Sequence, residues 1–354
     1  MKIIEERICC VDTKIFVGRN AIKYLREVVK NGKVLIVRQK SISIDRIVEV
    51  LGDEIHEFVL EGGEQDKDLD TVINIIDYLY REGFQRNDYV IAVGGGTLTD
   101  VVDFATSIYM RGMKLINIPT TLLGMVDAAI GGKNAVNFRK IKNVIGTFYQ
   151  PYVVIADIGF LDTLPKNEYL NGLAEVIKYG VVLDKTLFSY LKDNVDGIIS
   201  RRDDAVEYIV YRAILNKLNV VKEDPYELKG VRIVLNFGHT VGHAIEAASG
   251  FAVSHGRAVA IGMVIETVLG TELGITNNSC VKLVENVLRE YSLPISIKDL
   301  SIAIDISEVI KSIARDKKRR GNSISMPILV DIGTWVKREI TIDRIEEGIT
   351  KWIG

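Results

Sequence analysis

Apolar residues in the first half of the chain form short β-branched runs that alternate with stretches of helical spacing. The runs at 33–38, 57–60, 88–93, 114–118 and 152–156 have the length and composition of buried strands. Between them, residues 44–51 and 69–82 place apolar side chains on one face of a helix. This alternation predicts a mostly parallel sheet with helices on both faces.

From about residue 165 the apolar period becomes helical. Helices are expected at 168–182, 205–221, 241–248, 257–273 and 281–291. We therefore predict an α/β protein with a Rossmann-like, doubly wound domain at residues 1–160 and a mainly α-helical domain at 161–354. Ligands of doubly wound sheets bind at the carboxyl ends of the strands, so we expect the ligand site in the cleft between the two halves.

The composition narrows the possible classes. The chain is 47% hydrophobic and 26% charged with a formal net charge of -2, which predicts a globular protein and argues against a general nucleic-acid binder. Three cysteines, Cys9, Cys10 and Cys280, cannot form a disulfide framework. The start lacks a signal peptide, and the apolar stretch 258–275 contains Glu266, which favours a buried helix over a membrane span. We expect a cytoplasmic protein.

Three polar loops follow predicted strands. The run Gly94-Gly95-Gly96 opens a helix, where glycines let the backbone approach a phosphate and the helix N-terminus offers unpaired N–H groups. A plain strand-to-helix turn is the alternative. The loops 61–67 and 119–121 follow two other strands of the same sheet. Together the three loops favour a phosphate or dinucleotide site.

Charged residues are concentrated in two further segments. Residues 127–143 combine a glycine pair with Lys133 and asparagines, which suits an oxyanion pocket, although a basic surface loop is the alternative. Glu175 and Lys178 lie three residues apart on one helix face, where an exposed ion pair is the usual interpretation. Their surroundings are apolar, however, and a buried carboxylate needs a cation or a metal ion.

Three of the four histidines of the chain lie close together, at 239, 243 and 255. His239 and His243 share a helix face because they are four residues apart. A glutamate with two or three histidines is the ligand set of a catalytic zinc ion with one open position. The pair lacks the glutamate of the HExxH motif, which argues against a metalloprotease. A buried structural histidine is the alternative, but the clustering favours a functional role.

These segments, in this order and spacing, resemble 3-dehydroquinate synthase, a family of sugar phosphate cyclases. The resemblance runs from about residue 60 to residue 320 and rests on GGEQDK at 62–67, GGG at 94–96, YMRG at 109–112, PTTLL at 119–123, GGK at 131–133, LAEVIKYG at 173–180, RIVLNFGHTVGHAIE at 232–246 and AVAIGM at 258–263. It implies an NAD-binding α/β domain, a helical metal-binding domain and a homodimer.

The resemblance also implies a reaction. The substrate would be 3-deoxy-D-arabino-heptulosonate 7-phosphate, which is cyclised to 3-dehydroquinate with loss of phosphate in the shikimate pathway. Transient oxidation by NAD, phosphate elimination, re-reduction and an intramolecular aldol step would follow one another, so that NAD is regenerated and the enzyme is a lyase. The implied cofactors are NAD and a divalent metal ion, zinc or cobalt.

Residue roles follow from the resemblance, position by position. The metal ligands would be Glu175, His239 and His255, and His243 would handle protons. The phosphate would meet Arg111, Lys133, Asn143, Arg232 and Lys317. The carboxylate and hydroxyls of the substrate, or the metal site, would be supported by Asp127, Lys178, Lys217 and Asn236. Catalytic roles would fall to His243, Lys133, Lys178, Asp127, Asn143 and Arg232. NAD would be bound by Glu64, Lys67, Gly95, Gly96, Thr97, Asp100, Thr120, Thr121, Asp127, Lys133 and Lys142. Arg111 would reach across the dimer interface.

Some positions depart from the family pattern. Thr99 and Asp103 replace glycines after the glycine run. Arg38 stands where a Thr-Asp pair commonly meets the adenosine ribose, and an arginine there is also compatible with the 2′-phosphate of NADP. Two alternatives to the synthase remain. Another sugar phosphate cyclase would turn over a different sugar phosphate, and a metal-dependent polyol dehydrogenase, including the glycerol-1-phosphate type, would accumulate NADH.

Overall fold

The computed structural model describes residues 1–8, 11–139, 141–314 and 319–353. It contains two compact units, one comprising Met1–Pro165 with Val206–Tyr226 and the other Lys166–Ala205 with Glu227–Gly354. Cys9, Cys10 and Lys317 lie outside the described residues.

The first unit is built on a seven-stranded sheet. Its strands are β1 (Lys2–Ile8), β2 (Val11–Gly18), β3 (Val34–Gln39), β4 (His56–Leu60), β5 (Tyr89–Gly94), β6 (Lys114–Pro119) and β9 (Val153–Asp157), in the order β1-β2-β9-β6-β5-β3-β4. The β1–β2 pair is antiparallel and the other pairs are parallel. A separate antiparallel hairpin joins β7 (Lys133–Phe138) and β8 (Ile141–Phe148). The mostly parallel sheet predicted from the apolar runs is confirmed.

Helices cover this sheet because its central strands are apolar on both faces; β5 is buried at every position. The helices are α1 (Leu25–Val28), α2 (Asp45–Leu51), α3 (Leu69–Arg81) and α4 (Gly96–Ile108). α3 buries Val72, Ile75 and Leu79, the stripe expected from its sequence period. α4 begins at Gly96, the last residue of the glycine run, so its N-terminus lies at the carboxyl end of β5.

The second unit is mainly helical, as predicted. Its helices are α5 (Lys166–Val182), α6 (Lys185–Asp193), α7 (Val195–Ile199), α9 (His239–Ala248), α10 (His255–Glu272), α11 (Ser279–Glu290), α12 (Ile306–Ala314) and α13 (Ile342–Ile353), while α8 (Asp203–Glu223) begins here and continues in the first unit. An antiparallel sheet of β10 (Arg319–Arg320), β11 (Ser323–Asp331) and β12 (Thr334–Thr341) is an addition that the sequence pattern did not indicate. None of the helices formed by the described residues is long and apolar enough to cross a membrane.

α9 and α10 approach each other backbone to backbone. A Cβ atom on Gly262 would lie 1.9 Å from the carbonyl oxygen of Gly238, and one on Gly242 would lie 3.1 Å from the Cα of Val259. Gly238 has a φ of 78°, a conformation that favours glycine, and it forms the N-cap of α9. These glycines bring the first turn of α9, which carries His239, against α10.

Candidate functional site

The proposed metal ligands meet in the second unit, although they come from three helices. Glu175 lies in α5 and is fully buried, while His239 and His255 are the first residues of α9 and α10. The Oε1 atom of Glu175 is 3.4 Å from Nε2 of His239 and 3.3 Å from Nε2 of His255. One ligand atom from each residue lies within 4.8 Å of the other two, which is compatible with a shared metal ion.

The two carboxylate oxygens of Glu175 have different surroundings. Oε2 accepts a hydrogen bond from Lys178 Nζ, which also donates to the carbonyl of Leu235 at 2.7 Å. Oε1 is buried and has no hydrogen-bond partner within the described part of the chain. Burial alone would raise the pKa of Glu175, but the charge of Lys178 and the facing imidazoles of His239 and His255 hold that pKa well below its usual value. A buried anionic oxygen facing two imidazole nitrogens fits a divalent cation.

His239 and His255 differ in their hydrogen bonds and in the direction of their pKa shifts. Burial and the charge of Lys178 lower the pKa of His239 well below its usual value, which favours the neutral ring that a metal ligand needs. Its Nδ1 lies 3.0 Å from the carbonyl oxygen of Phe237, which assigns the proton to Nδ1 and leaves Nε2 as the electron-pair donor. Burial would lower the pKa of His255, but Glu175 and Glu246 raise it to about 10. Carboxylates that stabilise a proton on His255 would also stabilise a metal cation there.

His243 lies beside this group. Its ring centroid is 5.2 Å from that of His239 and 5.9 Å from that of His255, and its side chain is 52% exposed. A second group of possible ligands, His243, Glu246 and His255, shares His255 with the first. We favour the group containing Glu175, because its fully buried carboxylate oxygen gains more from a cation than the partly exposed carboxylate of Glu246 does.

Several residues that support this group were not identified from the sequence. Glu246 accepts at Oε2 from Nδ1 of His255 at 3.2 Å, and Asn171 accepts at Oδ1 from the backbone of Gly256. Glu266, expected only as a charge within a buried helix, binds the backbone of α9. Glu246 lies three residues after His243 in α9, so helix spacing is the signal that would have found it.

The glycine run of the first unit is in close contact with the two other polar segments of its sheet edge. Gly95 is the N-cap of α4, and a Cβ there would lie 3.3 Å from Cγ2 of Thr121. A Cβ on Gly96 would lie 2.8 Å from that of Ala128. Thr120 donates its backbone N–H to the carbonyl of Gly94 at 2.9 Å. Thr97 is in the first turn of α4. The loop at 119–121 therefore lies against the glycine run, and the loop at 61–67 meets α4 through Lys67 and Asp100.

Charged candidates of the first unit are linked in pairs near this loop. Lys67 Nζ donates to Asp100 Oδ2 at 2.5 Å, and Asp100 belongs to the second turn of α4. Burial raises the pKa of Asp100 to about 6, although Lys67 opposes the shift. Glu64 accepts a hydrogen bond from Asn137 at 2.8 Å and lies 3.7 Å from Lys142 Nζ. Asn137, a residue without a predicted role, thus binds the candidate cofactor residue Glu64.

Asp127 and Lys217 form a further pair in the first unit. Lys217 Nζ lies 2.6 Å from Asp127 Oδ1 and 2.5 Å from its carbonyl oxygen. The two residues are far apart in sequence, and α8 brings Lys217 to this unit.

The remaining candidates occupy separate positions. Arg111 and Asn143 have left-handed backbones, with φ of 61° and 50°, and both are exposed, as is Lys133 at the start of β7. In the second unit, Arg232 is 2% exposed and, with Asn236, bounds the short 3-10 helix Arg232–Asn236 that precedes α9.

Arg38, near the end of β3, is engaged by its neighbours. Its Nε atom contacts Glu57 of β4, and its Nη1 donates to the carbonyls of Lys40 and Ile42 at 3.1 and 3.3 Å. Paired residues of the two parallel strands are Arg38 with Val59 and Ile36 with Glu57. The guanidinium is therefore held by Glu57 of β4 on one side and by two carbonyls just past the end of β3 on the other.

Comparison with known proteins shows the family of this chain. The 3-dehydroquinate synthase N-terminal family model matches residues 57–171, and the C-terminal model matches residues 172–319. A 3-dehydroquinate synthase of Sulfolobus acidocaldarius is 49% identical over 335 residues, covering 95% of this chain and 94% of the relative. One of Sulfurisphaera tokodaii is 47% identical over 346 residues, covering 98% of both.

Solved structures show the same fold. A 2-epi-5-epi-valiolone synthase of Streptomyces hygroscopicus, with NAD+ and Zn2+ bound, has a TM-score of 0.85 at 28% identity and 99% coverage of both chains. A 2-deoxy-scyllo-inosose synthase complexed with carbaglucose-6-phosphate, NAD+ and Co2+ has a TM-score of 0.89 at 24% identity, covering 99% of this chain and 100% of the other. Given the family models that match most of its length and the close relatives, this chain belongs to the 3-dehydroquinate synthase family.

Proposed function

We propose that this chain converts 3-deoxy-D-arabino-heptulosonate 7-phosphate to 3-dehydroquinate and inorganic phosphate, as an NAD- and metal-dependent lyase. Relatives named 3-dehydroquinate synthase align with nearly the whole chain. The observation that carries the proposal is the buried Oε1 of Glu175, which faces one nitrogen from each of two histidines and has no hydrogen bond to satisfy it in the described residues. Synthases with this fold have been solved with NAD+ and a divalent metal ion.

Glu175, His239 and His255 would hold the metal ion. When bound, zinc or cobalt supplies a Lewis acid that polarises substrate hydroxyls and lowers their pKa. Lys178 would keep Glu175 ionised and fix the orientation of its carboxylate. The ammonium group of Lys178 can do so because it also binds the Leu235 carbonyl. His243 is half exposed beside the ligands and would exchange a proton between the substrate and solvent.

The loops of the first unit would bind NAD, which supplies reversible hydride acceptance. The N-terminus of α4 would offer backbone N–H groups to the pyrophosphate, and the absence of side chains at Gly95 and Gly96 would allow close approach. Lys67, Asp100, Glu64 and Lys142 are fixed by the pairs described above. Thr97, Thr120, Thr121, Asp127 and Lys133 complete the proposed cofactor contacts.

The phosphate of the substrate would be bound by cations and amide donors: Arg111, Lys133, Asn143, Arg232 and Lys317. Lys178, Lys217 and Asn236, with Asp127, would bind its carboxylate and hydroxyls. Arg232 is almost fully buried, and a buried guanidinium is a strong partner for a phosphate oxygen because little water competes with it. We also propose a cytoplasmic homodimer with Arg111, exposed after α4, near its interface.

A substrate panel tests this proposal. Purified protein with NAD+ and zinc should release inorganic phosphate from the heptulosonate and form 3-dehydroquinate. Sedoheptulose 7-phosphate and glucose 6-phosphate should be turned over far more slowly. Turnover of either sugar phosphate without turnover of the heptulosonate would assign the chain to another cyclase activity. Net NADH formation from a polyol would assign it to the dehydrogenases.

A further inference from the structure

Glu266 is a buried carboxylate in the middle of α10 that forms no part of the ligand set. It is 0% exposed and surrounded by apolar residues of the same helix. Its Oε2 accepts from the backbone N–H of Gly238 at 2.7 Å, and its Oε1 accepts from those of Thr240 and Val241 at 3.1 and 3.3 Å. A carboxylate in such surroundings is unfavourable unless several donors compensate its lost hydration, and here three do so.

The three donors lie at the start of α9: Gly238 is its N-cap, and Thr240 and Val241 are in its first turn. A helix leaves its first N–H groups without partners inside the helix, and a side chain at the N-cap usually accepts from them. The N-cap of α9 is Gly238, which has no side chain. Glu266 performs the capping from the neighbouring helix, and its negative charge also interacts favourably with the positive end of the α9 dipole.

The capped turn contains His239. The backbone is fixed on both sides of this residue, at Gly238 and Thr240, and Nδ1 of its ring is held at the Phe237 carbonyl. With these restraints Nε2 points toward Oε1 of Glu175, 3.4 Å away. His255 begins the helix that carries Glu266, about three turns earlier and on the same face. α10 therefore provides one ligand directly and anchors the turn that provides another.

We propose that Glu266 is a positioning residue of the metal centre, which sets the distance between His239 and His255 by tying the first turn of α9 to α10. This inference rests on the metal role proposed above for Glu175, His239 and His255. An apolar residue in place of Glu266 would fill the space but leave three buried N–H groups unsatisfied, so the turn would shift toward other acceptors.

The test is the metal affinity of Glu266→Ala and Glu266→Gln, measured for Zn2+ by competition with a chromophoric chelator. Loss of a residue that orients a ligand typically weakens metal binding by roughly 10- to 100-fold, which is the effect expected for Glu266→Ala. Glu266→Gln keeps one acceptor oxygen and should lose less. The visible absorption of the Co2+-loaded variants should differ from that of the wild type, because the cobalt spectrum reports ligand geometry.

Thr267→Val is the matched control. Thr267 is the next residue of α10, is fully buried, and donates to the Met263 carbonyl of its own helix at 2.6 Å, without contact to α9 through that group. This variant should keep the wild-type zinc affinity and cobalt spectrum. Far-UV circular dichroism reports whether the mainly helical second unit of each variant is folded, and NADH binding, measured by fluorescence, should be unchanged in all of them.

A folded Glu266→Ala protein with wild-type zinc affinity and cobalt spectrum would overturn the inference. If that variant does not fold, Glu266→Gln decides in the same way: wild-type values in both measurements overturn the positioning role. A wild-type protein that binds no zinc would overturn the proposed metal centre and this inference with it, whereas equal binding by wild type and variants would overturn this inference alone.

Discussion

At the scale of single residues, the two carboxylate oxygens of Glu175 have different partners. Oε2 binds Lys178, and Oε1 faces His239 and His255. Lys178 cannot itself serve as the cation for both oxygens, because its Nζ is also held by the Leu235 carbonyl. The residue geometry therefore separates a group that keeps the carboxylate ionised from the nitrogens that would share a metal ion with it.

This geometry predicts different outcomes for two neighbouring histidines. His239→Ala removes a proposed ligand, so stoichiometric zinc binding should be lost. His243→Ala should retain zinc, while kcat falls by roughly 10²-fold or more, the usual contribution of a proton-transfer group. Zinc content after gel filtration and kcat for both variants check this. Loss of zinc from His243→Ala with retention in His239→Ala would instead favour the group formed by His243, Glu246 and His255.

A second prediction concerns the choice of dinucleotide. Glu57 already pairs with the Arg38 guanidinium, so a 2′-phosphate would have to compete with this carboxylate for the arginine. The wild-type protein should bind NADH more tightly than NADPH. Glu57→Gln should tighten NADPH binding by about tenfold, or 1.4 kcal/mol, with little change for NADH. Asp77→Asn, which removes the same charge from an exposed pair with Arg81, is the control. An unchanged ratio of the two dissociation constants in Glu57→Gln would contradict this role of Glu57.

At the scale of secondary-structure elements, α4 is attached to β6 through a buried polar pair. Asn117 Nδ2 donates to Asp103 Oδ2 at 2.9 Å, and both residues are almost completely buried. Burial raises the pKa of Asp103 well above its usual value. The Oδ1 atoms of both residues have no other hydrogen bond to described groups. A protonated Asp103 would donate to Asn117 Oδ1 and so satisfy both.

This pair predicts how stability depends on pH. The unfolded chain ionises Asp103 near pH 4 and the native chain does so only at higher pH, so the stabilising contribution is complete below about pH 4 and is lost as the pH rises through the native pKa. Asp103→Asn should therefore flatten this decline and raise the urea midpoint at pH 7 to 8. Urea unfolding from pH 4 to 8 checks this, with Asp70→Asn, an exposed aspartate of α3, as control. A steeper decline in Asp103→Asn would refute a neutral Asp103.

The elements that the sequence predicted are those with a strong apolar period. α3, α5 and α10, and five strands of the large sheet (β3, β4, β5, β6 and β9), lie within about three residues of their expected positions, whereas β1 and β2 were not predicted. The β7–β8 hairpin escaped prediction because β8 is exposed at most positions on both faces and has no alternation. β11 contains Pro327, which is unfavourable within a strand and concealed its pattern.

The candidate site was predictable only in part. The spacing of His239 and His243 indicated a helix face, but Glu175 joins the histidines through packing of three helices, which no local pattern reports. Its role came from the family resemblance. Glu266 had no signal beyond being a charge in an apolar helix, since its partners are backbone groups of another element.

At the scale of the whole molecule, the candidate cofactor loops belong to one unit and the candidate metal ligands to the other. The boundary expected at residues 160/161 remains a prediction, and residues 206–226 pack with the first unit, where Lys217 meets Asp127. The packing of a later segment with an earlier unit depends on long-range contacts, so the local apolar period cannot predict it.

This arrangement predicts that the two cofactors can be removed separately. Treatment with a chelator should abolish turnover, while NADH should still bind with an unchanged dissociation constant. The candidate cofactor loops contain none of the proposed metal ligands. Addition of Zn2+ or Co2+ should restore turnover. Loss of NADH binding together with the metal would contradict a division of the two functions between the units.

The most direct test of the central claim is to follow inorganic phosphate and NADH in the same reaction, with the heptulosonate as substrate and NAD+ in less than stoichiometric amount. The proposed synthase should release phosphate in large excess over NAD+, with no net NADH, and should stop when the metal is chelated. Accumulation of NADH in proportion to substrate consumed, or phosphate release that continues in the chelated protein, would contradict it.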